Sequence, residues 1–428
     1  MAMKHLITAA LALAAAPPIH AAPMAAGDVF EAAAGYTVKI KRTSGIGLNE
    51  DSGNSAHATG FLVDRQRGWI LTNAHVASRS PTTLSVSFKG QPYVKAKRIF
   101  VDRLTDVAVL EIAPNAIPAS SNEAALKCSD QPRIGTPVAI FGHPGDLSYT
   151  ATRGIISSIP WIFPTEVIQS DAVVNGGNSG GPMISLDTGQ VVGIAAATYR
   201  DTEDEYSSAT SLSEPIGPVC KILDLLKAGK DARYRQLPVA YATAEDDDRP
   251  IVATVFDKTS GLLLGDLIVA VAGQRGIRNS SDIATALRGE TRPVPLVIER
   301  KGKEVALSVT AVAFPDVLAT RSIDFAGLII SEQWKLDRAE FEHERYPVID
   351  FIRPGSPAEI TKANPGYQLV SVNEQSYADL DKLYAYLASL SDDTDVRMIL
   401  KGPTDAGQFY RQYHHIVLPR GSAGWVKP

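Results

Sequence analysis

Residues 176–194 read Gly176-Gly177-Asn178-Ser179-Gly180-Gly181-Pro182-Met183-Ile184-Ser185-Leu186-Asp187-Thr188-Gly189-Gln190-Val191-Val192-Gly193-Ile194, and the fold turns on them. A serine between small residues has little side-chain cover, so its hydroxyl can meet a ligand. The glycines let the backbone turn sharply and leave amide N–H groups free to face an anion. That pairing suits a nucleophile with fixed donors for developing negative charge. A glycine-rich turn with an incidental serine uses the same residues, so the reading depends on a base and an acid elsewhere. Gly177, Ser179 and Gly181 also fit the G-x-S-x-G turn of α/β-hydrolases, which sits between a strand and a helix and precedes its acid and histidine. The residues after Pro182 read instead as two short strands around Asp187-Thr188-Gly189. The later histidines, His343, His414 and His415, lie far downstream in contexts that suggest no base. A chymotrypsin-type order, with the histidine and the acid before the serine, is the better expectation.

Both partners occur in the N-terminal half. From Thr37 to Ile112 short β runs alternate with turns, among them Gly60-Phe61-Leu62-Val63, Trp69-Ile70-Leu71-Thr72-Asn73 and Val107–Ile112. Roughly six such strands predict a small antiparallel barrel. His75 follows one strand, where an imidazole can reach a cleft and act as base near neutrality. Asp106 opens the apolar run Val107-Ala108-Val109-Leu110, where a half-buried carboxylate wants a donor such as an imidazole. Each has a plain structural reading, as a core histidine and a turn residue. With Ser179 they form a set of three that would converge between two barrels.

Thr72-Asn73-Ala74-His75-Val76, Leu104-Thr105-Asp106-Val107-Ala108 and Gly177-Asn178-Ser179-Gly180-Gly181-Pro182 resemble the catalytic motifs of the HtrA/Deg serine proteases. These are trypsin-like, PDZ-bearing proteases of protein quality control. Ile134–Pro144, Arg153–Ser158 and Gln169–Ala172 are similar to the family's second barrel, and the resemblance is close over about 60–227. It implies His75 as general base, Asp106 as its orienter and Ser179 as nucleophile, with the N–H groups of Gly177 and Ser179 as oxyanion hole. It requires neither metal nor cofactor. His143, in Gly142-His143-Pro144, reads as structural. The specificity wall is expected in Gly193–Thr198, where Ile194, Ala195 and Ala196 favour small or medium apolar side chains. The acidic run Asp201–Glu205 reads as a solvated loop, and an amphipathic helix over Ile216–Leu226 closes the domain.

The polar stretch 228–250 reads as a boundary plus a loop. Beyond it, Gly265–Gln274, Ser281–Arg288, Val294–Arg300 and Val305–Val312 give strand, helix and two strands, and the scheme repeats over Val348–Lys401. This order resembles PDZ domains, which add an extended peptide as a strand and hold its carboxylate on loop amides. Gly327 and Leu328, in Ala326-Gly327-Leu328-Ile329-Ile330, are the candidate carboxylate loop of the second repeat. Leu237–Ala240 in the first lacks a glycine. The fold expected is mainly β: a two-barrel chymotrypsin-like protease domain followed by two PDZ-like α+β domains. The ranges are 1–26 for a leader and the start of the mature chain, 27–230 for the protease, and 236–313 and 322–420 for the PDZ-like domains.

The bulk properties fit an exported protein. Leu6–Ala16 is an apolar core after Lys4 and His5, with small residues around Ala21–Ala26, as in a secretory signal. Its length falls short of the roughly 20 residues that span a bilayer. The net charge of −5 gives no basic footprint for nucleic acid. Cys128 and Cys220 suit one disulfide in an oxidising compartment, and spacing leaves their pairing open. The partners expected are unfolded polypeptides, peptide C-termini at a PDZ-like domain, and further copies in a homotrimer or higher multiple, with contacts sought in 27–58 around Phe30 and Tyr36. The alternative is a chaperone or peptide-binding scaffold whose protease site rests inactive.

Overall fold

The structure, a computed structural model, describes residues 25–48, 55–129, 131–145, 147–162, 165–199, 210–244, 247–332, 346–390, 395–402, 412–419 and 422–427. Most of the expected leader and the run Asp201–Glu205 lie outside them.

Helix α1 (Ala26–Tyr36) leads into β1 (Thr37–Ser44), β2 (Ser55–Asp64), β3 (Trp69–Thr72), the one-turn helix α2 (Ala74–Ala77), β4 (Thr82–Ser87), β5 (Val94–Asp102) and β6 (Val107–Glu111). The six strands close into an antiparallel barrel in the order β1-β2-β3-β6-β5-β4. Alternation in β1 sends Val38 and Ile40 inward onto Phe61, Ile70 and Leu110, all fully buried. Burying each such side chain stabilises by about 1.5–3 kcal/mol. The second barrel uses β7 (Pro137–Gly142) and β8 (Thr150–Ser158), then, after the short hairpin β9 (Trp161–Ile162) and β10 (Thr165–Glu166), β11 (Ile168–Ser170), β12 (Pro182–Ser185), β13 (Val191–Tyr199) and β14 (Thr210–Pro215). It closes as β11-β14-β13-β12-β7-β8. No helix comes directly after Ser179, as the strand pattern predicts. One apolar core runs from the first barrel through Ile184, Leu186, Val191 and Ile194 to α3 (Ile216–Lys227). Cys220 of α3 is bonded to Cys128, which settles the pairing that spacing left open.

Two smaller α+β units come next. In the first, β15 (Arg235–Gln236) pairs with the last strand of the unit. Its main sheet takes β16 (Val239–Ala244), β17 (Asp247–Val255), β18 (Leu267–Val271) with the short β19 (Gln274–Arg275) at its side, then after α4 (Ser280–Leu287) β20 (Val294–Arg300) and β21 (Lys303–Val309). The partner of β15 is β22 (Val312–Ala313). In the second, β23 (Ser322–Phe325), β24 (Leu328–Ser331), β25 (Val348–Ile352), β26 (Gln368–Val372), α5 (Leu380–Ser389), β27 (Val396–Lys401), β28 (Tyr413–Leu418) and β29 (Gly424–Val426) build a sheet ordered β28-β27-β26-β25-β24-β23-β29. Asn279 and Asp379 start α4 and α5 by accepting the first free N–H groups of each helix.

Two features differ from the sequence reading. The stretch 228–250 holds β15, β16 and the start of β17 rather than a plain boundary loop. β16 and β17 form a hairpin whose first strand is an edge of the sheet. Tyr36 is buried in the first-barrel core, and Phe30 stacks on Phe141 of the second barrel (6.2 Å), so α1 seals the two barrels together.

Both smaller units are tied to the first barrel by buried ion pairs. Arg288, just after α4, reaches Asp102 of β5 (2.7 Å), and Arg79, four residues after His75, reaches Asp350 of β25 (2.5 Å). All four side chains are buried.

Candidate functional site

His75 sits on α2, which Asn73 starts at the end of β3. Its Nδ1 lies 2.7 Å from Asp106 Oδ2, and its backbone N–H donates to Asp106 Oδ1 (2.9 Å). Asp106 adopts φ 47°, unusual for a residue with a Cβ, and its carbonyl is held by Asn73 Nδ2 (2.9 Å). Arg42 holds the His75 carbonyl (2.8 Å). The histidine is thus fixed from both sides, with Nδ1 facing the carboxylate and Nε2 left for another partner. The site is open, since the imidazole is 44% exposed and the carboxyl 26%. Ser179 lies half-buried on the β11–β12 connection, and its Oγ donates to the Ala196 carbonyl (3.0 Å). Among the described residues that bond, not one to His75, holds the hydroxyl.

The loop before Ser179 is braced through its carbonyls. Gly176 C=O accepts from Gly145 N–H (3.0 Å) and Gly177 C=O from Thr59 Oγ1 (2.7 Å). Ser179 C=O accepts from Thr59 N–H (2.9 Å). In a trans peptide the N–H opposes the carbonyl, so Gly177 N–H points away from Gly145. Among the described residues neither Gly177 N–H nor Ser179 N–H has a partner, leaving two backbone donors for an anionic oxygen. Gly177 has φ 103°, and a Cβ there would fall on the His143 carbonyl oxygen, so only glycine fits. Thr59 Oγ1 also accepts from His143 N–H (3.1 Å). One first-barrel hydroxyl thereby ties together the 142–149 loop and the loop of the nucleophile. Sequence reading missed Thr59 and Gly145; a threonine directly before Gly60 at the start of an apolar run was the available signal.

His143 is buried, its Nδ1 accepts from Tyr149 N–H (3.0 Å), and its ring meets Tyr149 edge-on. Burial, with Lys39 adding to it, pushes its pKa down to about 4. It supports the loop and does not face the cleft. Burial, then the charges of Asp106 and Asp102, hold the Glu214 carboxyl of β14 well above its ordinary pKa. Among the described residues no cluster of His, Cys, Asp and Glu could hold a metal ion, and no helix is long and apolar enough to cross a membrane.

The expected specificity wall needs correction. Ile194 and Ala195 are fully buried in the cores, so their side chains cannot face a substrate. Their strand contributes through its backbone: Ala195 C=O accepts from Gly180 N–H (2.8 Å), and a register shift beside Ala196 turns that residue's carbonyl toward Ser179. The expected carboxylate loop also changes meaning. Ala326 and Gly327 form the two-residue turn between β23 and β24, with φ of 50° and 91°. Their carbonyls accept from Ala358 N–H (3.2 Å) and Arg353 N–H (2.8 Å). Leu328 starts β24, which is paired on one side to β23 and on the other to β25, so this strand offers no edge to a peptide. In the first unit Leu237 is fully buried and Val239 opens the edge strand β16.

The family model for a trypsin-like peptidase domain matches residues 58–194, which carry all three residues of the set. A "probable periplasmic serine endoprotease DegP-like" of Halomonas elongata is 32% identical over 279 residues, covering 60% of this chain and 56% of that protein. The protein of the same description from Pseudomonas savastanoi is 28% identical over 370 residues, 79% of this chain and 75% of the relative. The chain is similar to DegP-like serine endoproteases over a stretch that matches a trypsin-like peptidase domain. It spans little more than half the length of the Halomonas relative. Solved structures agree on the HtrA/Deg fold. The HtrA-type protease AlgW with a tripeptide has a TM-score of 0.55 at 22% identity, over 68% of this chain and 97% of that one. The serine endoprotease of Yersinia pestis has a TM-score of 0.50 at 23% identity, over 68% and 99%.

Proposed function

We propose that this chain is an exported serine endopeptidase of the HtrA/Deg type acting on unfolded or damaged envelope polypeptides, with 27–230 as protease and 236–313 and 322–420 as PDZ-like domains. The observation that carries the reading is the His75–Asp106 pair beside a half-buried serine with two free backbone donors. Ser179 Oγ attacks the peptide carbonyl while His75 Nε2 takes its proton. Asp106 holds the imidazole and stabilises its charged form. The developing oxyanion is met by the N–H groups of Gly177 and Ser179. His75 then gives its proton to the leaving amine, and water releases the acyl group. Every step uses groups of the chain itself. The relatives' description as periplasmic and the apolar stretch Leu6–Ala16 support export.

A second reading has its own observation. Ser179 Oγ is engaged by the Ala196 carbonyl, which suits a resting enzyme whose serine rotates to His75 when substrate binds. A chaperone or peptide-binding scaffold would keep that state. Fluorophosphonate labelling of the purified chain, with Ser179→Ala beside it, separates the two. Rapid labelling lost in the variant supports the peptidase; a folded sample that stays unlabelled even with unfolded casein present supports the scaffold.

A further inference from the structure

We propose that Asp350 of β25, carried by the second α+β unit, is a positioning residue for the His75–Asp106 pair, acting on the histidine through Arg79 and on the acid through Arg103. Its part in turnover rests on the peptidase reading; its hold on the pair does not.

A carboxylate buried in a strand needs a reason, because leaving water is costly unless a partner meets the charge. Val348-Ile349-Asp350-Phe351-Ile352 is apolar on both sides of Asp350, and the aspartate is buried. Against β24, Ile349 lies opposite Ile330 and Phe351 opposite Ile329, so Asp350 is the extra residue of a bulge. A bulge re-aims one side chain out of the strand's alternation. Here the re-aimed carboxylate meets Arg79 (2.5 Å), 271 positions away in the chain. Arg79 belongs to the segment that ends the helix of His75. That helix, α2, has four residues, too few to hold itself. Its end is fixed through residues 78–80, all buried. Ser78, at φ 61°, donates its N–H to the Ala74 carbonyl (2.8 Å), and Arg98 of β5 holds the Ser78 and Ser80 carbonyls (2.7 and 3.1 Å). Arg79 extends that anchorage across to β25.

The acid is reached from the other side. Arg103 lies half-buried in the turn between β5 and Asp106, within electrostatic range of both Asp350 and Asp106. Burial lowers its pKa, and the two carboxylates oppose that fall. One carboxylate of the second unit therefore faces two arginines, one just past His75 and one just before Asp106. The other charges near the pair come from four further elements. Arg42 and Arg98 are bonded to carbonyls, Asp102 is offset by Arg288, and Glu214 lies within range of Asp106. Removing the negative charge of Asp350 leaves Arg79 and Arg103 short of counter-charge. Excess positive charge disfavours the imidazolium, so the His75 pKa falls and the proton it must carry during turnover is held less well.

The test compares the full chain with two variants. Asp350→Asn keeps the shape and removes the charge. Arg79→Met with Asp350→Leu removes the whole pair and leaves the local sum of charge unchanged, an exchange that buried pairs tolerate. The His75 pKa is read by NMR titration of chain labelled at histidine Cε1, with the signal identified by its loss in His75→Gln. Asp350→Asn should lower that pKa by about half a unit, and the double variant should return it to the parent value. Hydrolysis of fluorescein-labelled casein should lose about tenfold in kcat in both variants with KM within about twofold, because the end of α2 has lost its hold. A plain docking contact would change the melting temperature and leave the His75 pKa and kcat alone. An unchanged pKa in Asp350→Asn, or a double variant with the parent's kcat, would overturn the proposal. Should Asp350→Asn not fold, kcat of the double variant decides alone. A parent that hydrolyses no casein would sink the peptidase reading, and the titration would still decide for or against Asp350.

Discussion

Replacing Arg288 by methionine tests how the first α+β unit holds the active-site barrel. Asp102 Oδ2 would lose its guanidinium at 2.7 Å, and its carboxyl, 4% exposed, would keep only the N–H groups of Leu104 (3.0 Å) and Thr105 (3.4 Å). Arg288 would also release the Ala232 carbonyl (2.6 Å) and its place over the Tyr234 ring (5.7 Å). Breaking one side of a buried pair costs about 3–5 kcal/mol, because a charge is left without a partner. We expect a loss of about 4 kcal/mol, the upper half being favoured by the extra carbonyl contact. The turn capped by Asp102 leads directly into Asp106, so fluorophosphonate labelling should slow as well. Adding Asp102→Asn removes the stranded charge and should restore at least half of the lost stability. The measurement is urea unfolding followed by tryptophan fluorescence, with Trp69 of β3 reporting on the first barrel. A single variant within about 1 kcal/mol of the parent, or a double variant as unstable as the two singles summed, would refute the reasoning.

Four further outcomes are expected at the site. Thr59→Val strands the Gly177 carbonyl and the His143 N–H, each worth about 1–3 kcal/mol, so labelling should fall at least tenfold. Thr59→Ser should restore it, and an unimpaired valine variant would dismiss the brace. Gly177→Ala puts a methyl on the His143 carbonyl and displaces an oxyanion donor, so kcat should drop about 10²–10³-fold with KM little changed. Asp106→Asn should lower kcat by about 10⁴-fold through the wrong His75 tautomer, and a loss below tenfold would remove Asp106 from the set. His143 has its pKa lowered from 6.5 to about 4, so between those values the unfolded chain binds a proton that the folded chain does not. Stability should therefore fall as the pH drops through this window, by about 3 kcal/mol in all. Melting of His143→Phe across pH 7 to 4 should be flatter, and parallel curves would remove the histidine as cause.

The three residues of the proposed catalytic set drew notice in the sequence because they break local patterns. Ser179 stands among glycines, Asp106 opens an apolar run, and His75 ends a strand, and each departure has a chemical reason. The barrels were legible from strand spacing. What stayed hidden depends on residues far apart in the chain. Nothing near Thr59 announces that its hydroxyl will meet Gly177, over a hundred residues on, or near Gly145 that its N–H will hold Gly176. Gly424-Trp425-Val426 is too short to show alternation, and its partner β23 lies about 100 residues earlier. The β16–β17 hairpin was obscured by the charges of Glu245–Arg249, which read as a loop when only composition is weighed. Ile194 and Ala195 obey the same logic. Their small apolar character is real, but it serves the core, and the backbone of their strand faces the chemistry.

The bond between Cys128 and Cys220 makes a covalent ring of the intervening chain. The ring includes the whole second barrel and Ser179, while His75 and Asp106 lie outside it. If the chain cuts polypeptides as proposed, one copy can cut another, and a single cut anywhere from 129 to 219 leaves both pieces attached. A clipped molecule would migrate as one chain without reductant and as two with it. The same closure withholds about 4–5 kcal/mol of chain entropy from the unfolded state. For a cut between 129 and 178, reduction would therefore leave Ser179 on a different chain from His75 and Asp106.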